Sequence, residues 1–174
     1  MPLLLLSIAV FGALGVEARR AWRNERAQRA RGGIEPDSDV YRLMRIAYPG
    51  AFAAMIAEGC LREPPPVSVI GAGVAVLAVA KALKWWAIVT LGPSWTFRIV
   101  VVPNAPLIRR GPYRWLRHPN YVGVVGELLG VALVAGARVS GVAAITGFGV
   151  LLIKRIRVEE RMLAAASRAT KTSK

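Results

Sequence analysis

The sequence has few of the residues from which metal sites and disulfides are built. Cys60 is its single cysteine, which excludes an intrachain disulfide and a Cys-x-x-Cys metal motif. His118 is its single histidine, which excludes the zinc and di-iron sites that several histidines form. Any chemistry in this chain therefore depends on arginine, glutamate, tyrosine, one histidine or a bound organic cofactor.

Acidic residues are also scarce, with 10 Asp and Glu against 24 Lys and Arg in 174 residues. The formal net charge is +14, yet 55% of the residues are hydrophobic and the mean hydropathy is +0.43. Soluble domains are about 45–50% apolar. This much apolar surface excludes a disordered basic tail, and the separation of charged and apolar residues into blocks disfavours a soluble nucleic-acid binder. The composition indicates a membrane protein.

Apolar runs predict an all-α, polytopic transmembrane bundle of about five spans. The runs are Met1–Val16, Ile46–Leu61, Val67–Leu91, Tyr121–Ala137 and Val139–Ile153, with a tight turn expected at Arg138, Ser140 and Gly141. Several have only about 15–17 residues, so one or two can be buried helices that span a core of about 30 Å only in part. In the first run the arginines follow the apolar residues, which favours a retained span with its N-terminus outside over a signal peptide.

The distribution of basic residues predicts the side of the membrane that each segment faces. With the N-terminus outside, the 17–45 loop, the 92–120 loop and the tail from residue 154 lie inside. These segments contain 8, 5 and 7 Lys and Arg residues, which is 20 of the 24. The excess charge follows the positive-inside rule, so it implies no nucleic-acid partner. Because the composition is rich in Ala, Arg and Gly, we expect a bacterial inner membrane with both loops and the C-terminus cytoplasmic.

Three ionisable residues interrupt the third and fourth runs. Lys81 and Lys84 share one helix face, and we expect them at a headgroup layer with Trp85 and Trp86 as interfacial anchors. Glu127 lies almost two turns inside the fourth run, where an ionisable group is costly and faces the bundle interior or a site. It is either bonded to a neighbouring helix in a structural role or placed beside a substrate.

Residues 67–76 read like a strand that enters the glycine-rich turn of a dinucleotide site. Val76 stands where the third glycine of that motif is expected, and no acidic residue follows at the distance that holds a ribose. Small residues at regular spacing also allow membrane helices to pack closely. We therefore predict that helix packing is the role of Gly71, Gly73, Ala75 and Ala78.

The densest group of polar and aromatic residues lies in 107–123, next to a membrane boundary. Glycine and proline there predict an irregular backbone whose N–H groups can hold a ligand, and arginines supply planar donors for carboxylate or phosphate. Composition alone favours an interfacial belt, with Trp and Tyr at headgroup depth and Arg on lipid phosphates.

The order of three motifs resembles the isoprenylcysteine carboxyl methyltransferase family. These motifs are Gly111-Pro112-Tyr113, then Arg117-His118-Pro119-Asn120-Tyr121-Val122-Gly123, and then a late Arg155-Ile156 followed by Glu159-Glu160 and Leu163. Residues 84–95 also resemble the family's lead-in to the loop that contains the first two motifs. The resemblance covers roughly residues 81–165, and before residue 81 only the pattern of spans is similar.

The resemblance implies an S-adenosylmethionine cofactor, held without a Rossmann sheet between the 92–120 loop and the tail helix. The cofactor-binding residues that it implies are Gly111, Pro112, Tyr113, Arg117, His118, Pro119, Tyr121, Glu159 and Glu160. We expect catalytic contributions from Glu127 and Arg155, because an arginine can orient a carboxylate acceptor and a phenol acceptor would need deprotonation.

The function that the resemblance implies is methyl transfer to a lipid-like or prenylated acceptor, most like that of a protein-S-isoprenylcysteine carboxyl O-methyltransferase. The alternatives are a phenolic-lipid O-methyltransferase, a phospholipid N-methyltransferase and, from another class, a non-catalytic membrane scaffold that binds anionic lipid. We expect three parts in the chain: spans and a basic loop in 1–80, the methyltransferase core in 81–165 and a disordered tail in 166–174.

Overall fold

Five α-helices form the described part of the chain in a computed structural model, which covers residues 2–36, 39–103, 105–106 and 108–172, with side chains to residue 165. The helices are α1 (Pro2–Ala30), α2 (Tyr41–Cys60), α3 (Val67–Leu91), α4 (Pro119–Ala135) and α5 (Arg138–Thr172). Short 3-10 turns at Gly92–Ser94 and Gly111–Arg114 lie between α3 and α4. The predicted all-α fold is confirmed, and the tail expected to be disordered continues α5 as far as Thr172.

Three of the described helices are long and apolar enough to cross a membrane: α1, α3 with the turn that follows it, and α5. Helix α4 is apolar but has only 17 residues. Pro49 lies inside α2, which is not among the three. The predicted helical membrane bundle is confirmed, with five helices of which three have the length and composition of full spans.

Helix α1 is longer than its apolar run, so the prediction of a loop from residue 17 is wrong for residues 17–30. The polar half of α1 is helical because its side chains bond the connection after α3. Asn24 donates to the carbonyl oxygens of Gly92 and Trp95, and Gln28 donates to that of Pro93, at 2.7–3.0 Å. These bonds hold the polar end of α1 against the segment that leads to α4.

The turn between α4 and α5 lies at Gly136, so the tight turn predicted at Arg138, Ser140 and Gly141 is wrong. Gly136 has φ +67°, a left-handed conformation that costs glycine little, and it ends α4. Helix α5 then begins at Arg138. The carboxylate of Glu58 accepts bonds from the backbone N–H groups of Val139 (3.1 Å) and Ser140 (2.7 Å), which satisfies free donors at the start of α5.

Helices α3 and α4 approach closely because glycines of α4 face small or flexible side chains of α3. A Cβ atom at Gly126 would lie 2.7 Å from the Cβ of Ala80, and one at Gly130 would lie 2.8 Å from the backbone nitrogen of Leu77. Residues 67–76 are helical, which excludes the strand of a dinucleotide motif.

Of the four small α3 residues predicted to pack, only Gly73 lies buried against α4. A Cβ at Gly73 would lie 2.8 Å from side-chain atoms of α4. The predicted packing is wrong for Gly71, Ala75 and Ala78, which are exposed. The face that α3 buries is instead built from residues at a spacing of three to four, namely Gly73, Leu77, Ala80 and Lys84, because this is the repeat of one helix face.

Gly130→Ala is expected to destabilise the fold by about 1–3 kcal/mol, because the new methyl group meets the backbone of α3. Gly71→Ala is the matched control, since among the described residues no atom outside its own stretch of α3 lies within 4 Å of the position that the new methyl group would take. The control should be neutral or stabilising by up to about 1 kcal/mol, the usual difference between glycine and alanine in a helix. Chemical unfolding in detergent measures both, and equal effects would contradict the described packing.

Candidate active site

A cavity of about 810 Å³ lies between the α3–α4 connection and the five helices. Small-molecule sites in proteins have volumes of about 300–1,000 Å³. Side chains from the sequence motifs around residues 118 and 159 form one part of the lining, here called the polar end. Apolar side chains of four helices form another part, here called the apolar end: Leu14, Ala18, Met44, Pro49, Val124, Phe148 and Leu152.

Tyr121 connects two charged residues of α5 at the polar end. Its hydroxyl donates to Glu159 Oε2 at 2.6 Å and accepts from Arg155 Nε at 2.9 Å. Tyr121 lies in the first turn of α4, whereas Arg155 and Glu159 are one turn apart on α5. These bonds fix the carboxylate of Glu159 in the wall of the cavity.

His118 lies next to this group, at the residue that precedes α4. Pro119 begins the helix and is buried, a position where proline costs no hydrogen bond. The imidazole of His118 stacks on the ring of Tyr121, with centroids 5.5 Å apart and planes at 17°. Its Nε2 lies 3.4 Å from Glu160 Oε1. The exposed Arg117 guanidinium lies 3.8 Å from the same carboxylate oxygen.

Arg155 is buried and holds a distant segment against the site. Its Nη1 atom lies 3.0 Å from Asp39 Oδ1, and Nη2 donates to the carbonyl oxygen of Phe97. Asp39 also accepts the backbone N–H groups of Tyr41 and Ile99. Asp39 was not predicted to be a site residue, because nothing in a basic segment indicates a partner that lies 116 positions away.

The Gly111–Pro112–Tyr113 turn contributes one side chain to the cavity, that of Tyr113. Gly111 has φ +56°, and a Cβ atom there would lie 2.5 Å from Thr90 Oγ1 of α3. Pro112 is buried. Burial, together with the negative charge of Glu159, raises the pKa of the Tyr113 phenol well above its usual value. Tyr113 therefore faces the cavity as a neutral phenol.

Glu127 is buried in a charged cluster beneath the cavity and is not one of the residues that line it. Its two carboxylate oxygens lie 2.8 Å from Lys81 Nζ and 3.0 Å from Lys84 Nζ. The Tyr48 hydroxyl of α2 also donates to it. Glu17 of α1 completes the cluster, 2.9 Å from Lys81 and 2.7 Å from Lys84.

This cluster corrects the placement of the two lysines at a headgroup layer. The Lys84 side chain is only 3% exposed and that of Lys81 is 23% exposed. Each is held between the carboxylates of Glu17 and Glu127, which belong to α1 and α4. Two charges of each sign compensate one another, which allows all four groups to lie inside an apolar bundle.

The charged side chains that line the cavity are mostly basic. Among the described residues they are five cations and one carboxylate: Arg45, Lys84, Arg98, Arg117, Arg155 and Glu159. Glu25 and Glu35 pair with Arg98, and Asp39 pairs with Arg155, from outside the cavity wall. The cavity therefore offers more donors to a negatively charged group than to a positively charged one.

The structure brings together most of the site residues predicted from the motifs. The side chains that line the cavity are those of Tyr113, Arg117, His118, Tyr121, Arg155 and Glu159. Glu160 contacts His118 at the edge of the cavity. Gly111, Pro112 and Pro119 set the conformation of the main chain near the cavity. Glu127 lies apart from them, behind Lys84.

A family model described as the isoprenylcysteine carboxyl methyltransferase family matches residues 73–165, just over half of the chain. A Bacillus subtilis relative named "Uncharacterized protein YpbQ" is 34% identical over 143 residues, which is 82% of this chain and 85% of the relative. A Haemophilus influenzae relative named "Uncharacterized protein" is 29% identical over 139 residues, which is 79% of this chain and 81% of the relative. No solved structure gives a significant match.

Proposed function

The chain belongs to the isoprenylcysteine carboxyl methyltransferase family, and we propose that it is an integral membrane methyltransferase that uses S-adenosylmethionine and methylates an oxygen atom of a lipid-like acceptor. The observation that carries the proposal is the cavity. It joins a polar end, formed by the family motifs, to an apolar end inside the helical bundle. Such a shape suits a polar cofactor together with an acceptor that has a long apolar chain.

The residues at the polar end fit the chemistry of the cofactor. Glu159 offers a carboxylate to the cofactor's ammonium or ribose hydroxyls, and Glu160 lies beside it. The stacked rings of His118 and Tyr121 offer aromatic faces to its adenine or sulfonium. Arg117 offers a cation to its carboxylate. When bound, the cofactor supplies an electrophilic methyl group on a positively charged sulfur.

The protein's own contribution is to position these groups. Arg155 holds the Tyr121 hydroxyl and the carboxylate of Asp39, so that the α4–α5 contact and the segment after α1 enclose the site together. The bond from Tyr121 fixes the carboxylate of Glu159 before a ligand arrives. Groups fixed in advance need little reorganisation during the reaction.

The charges in the cavity wall favour oxygen over nitrogen as the methylated atom. Among the described residues, five cations line the cavity against one carboxylate, so an acceptor with a negatively charged oxygen would find more partners in the cavity wall than one with an amine headgroup. This disfavours a phospholipid amine as the acceptor. A prenylated or acylated carboxylate and an acidic phenolic lipid both fit the charge and the apolar end. The basic segments further support a bacterial inner-membrane orientation with the 92–120 connection and α5's C-terminal end in the cytoplasm.

Methyl transfer to lipid tests the proposal. Membranes from cells that produce the protein, incubated with S-adenosylmethionine labelled in the methyl group, should incorporate label into material that extracts into organic solvent. Membranes that contain the His118→Ala variant at equal abundance should incorporate much less. Label equal to that in membranes without the protein, across lipid extracts from several bacteria, would contradict an acceptor that is a lipid.

A further inference from the structure

Lys84 is a buried cation in the cavity wall, and it is not one of the residues that the proposed function assigns to the cofactor. Its ammonium group lies between Glu17 Oε2 (2.7 Å) and Glu127 Oε2 (3.0 Å). Lys81 contacts the same two carboxylates and does not line the cavity. We propose that Lys84 is a specificity-determining residue that selects acceptors with a negatively charged oxygen. This inference rests on the proposed function.

The cluster contributes one lysine and its tyrosine to the cavity wall, but not its carboxylates. Lys84 and Tyr48 line the cavity, whereas Glu17 and Glu127 do not. The Lys84 ammonium lies 5.2 Å from the centre of the Tyr48 ring. An ammonium group has three N–H donors, and two carboxylate oxygens account for two of them. Neither carboxylate engages the third donor, which is the one that an acceptor oxygen would take.

Lys84 also lies close to the cofactor motif. A Cβ atom at Gly123 would lie 2.8 Å from the Cβ of Lys84, and Gly123 is two residues after Tyr121 on α4. Val124, one turn after Tyr121, lines the cavity as well. Lys84 and Tyr121 are therefore on neighbouring turns of the α3–α4 contact. An acceptor headgroup between them has its chain among the apolar side chains of α1, α2 and α5.

A negatively charged acceptor also agrees with the contacts that Glu127 makes, because such an acceptor needs no general base. The acceptor oxygen forms a bond to the methyl carbon while the bond from that carbon to sulfur breaks, and the sulfur keeps the electron pair. The negative charge of the acceptor and the positive charge of the sulfonium are both cancelled, and no proton is removed. Glu127, bound by two lysines and Tyr48, then acts by holding Lys84 in place.

Two matched amphiphiles and two matched variants test the inference. Dodecanoate and dodecanol have the same chain and differ in headgroup charge, and calorimetry on the purified protein in nanodiscs measures their dissociation constants. The wild-type protein should bind dodecanoate at least about 10-fold more tightly than dodecanol, the discrimination expected for one hydrogen bond to a charged group. Lys84→Met should abolish this preference, whereas Lys84→Arg should keep most of it.

Lys81→Met is the decisive control, because it removes the same charge from the same cluster but on the side away from the cavity. It should keep the preference for dodecanoate. If Lys81→Met and Lys84→Met lost the preference for dodecanoate equally, the inference would be overturned. It would also be overturned if the wild-type protein bound dodecanoate and dodecanol equally well, and that measurement does not depend on the folding of a variant. S-adenosylhomocysteine binding, measured on the same wild-type sample, tests the proposed cofactor separately from the role of Lys84. If S-adenosylhomocysteine does not bind, the proposed cofactor is refuted, whereas the measured preference for dodecanoate still stands.

Discussion

Replacing Glu159 by glutamine is expected to weaken the binding of S-adenosylhomocysteine about 10- to 100-fold. The substitution keeps the shape of the side chain but removes a negative charge from a cavity whose other charged lining residues, among those described, are cations. A hydrogen bond to a charged group contributes about 1.5–3 kcal/mol, which corresponds to this range of affinity. The hydrogen bond from Tyr121 orients the carboxylate of Glu159, so the substitution removes a charged group that is already in position to bind the ligand. Titration calorimetry on purified protein measures the change.

Glu160→Gln and Glu63→Gln are the comparisons for this variant. Glu160 is half exposed and contacts His118 at the edge of the cavity, so we expect a smaller loss than for Glu159. Glu63 is exposed in the turn between α2 and α3, and its substitution should leave the affinity unchanged. An affinity that is the same in all three variants would show that the carboxylates of α5 do not contact the cofactor.

Glu17→Gln is expected to lower the free energy of unfolding by about 3–5 kcal/mol, the usual cost of breaking a buried ion pair from one side. Glu17 is fully buried and faces both Lys81 and Lys84, which would then share the single carboxylate of Glu127. The uncompensated positive charge would lie at the centre of the bundle, among α1, α3 and α4. Denaturant titration in mixed micelles, followed by circular dichroism, measures the loss.

Two further variants separate charge balance from the loss of one side chain. Glu17→Gln combined with Lys81→Met leaves one lysine and one glutamate, and it should recover a large part of the stability. Glu35→Gln also breaks contacts to two cations, Arg29 and Arg98, but on a surface where such pairs contribute about 0–1 kcal/mol. If Glu17→Gln were as mild as Glu35→Gln, the cluster would not be a stabilising element of the bundle.

The helices and the motif residues could be predicted from the sequence because each depends on local order. An apolar run predicts a helix wherever it packs, and the residues around His118 and Glu159 were found through their resemblance to a family. Helix ends were less predictable. The polar half of α1 remains helical because Asn24 and Gln28 reach carbonyl groups about 70 positions away, and no local pattern contains that information.

The pairing of charged residues could not be predicted, because it depends on the register between helices. The spacing of Lys81 and Lys84 indicates a shared face but not that Glu17 and Glu127 lie opposite that face. The same limit applies to Arg155, whose partner Asp39 is on a distant segment. The place of Glu127 inside an apolar run predicts that it faces the bundle interior or a site, and it lies in the interior, whereas the identity of its neighbours depends on how the helices pack.

Binding of S-adenosylhomocysteine to the purified wild-type protein tests the central claim most directly. Calorimetry should show saturable binding of one ligand per chain, weakened by His118→Ala because this variant removes the ring that stacks on Tyr121. A folded, monodisperse sample that shows no binding at millimolar ligand would contradict the assignment of this cavity to a methyl-donating cofactor.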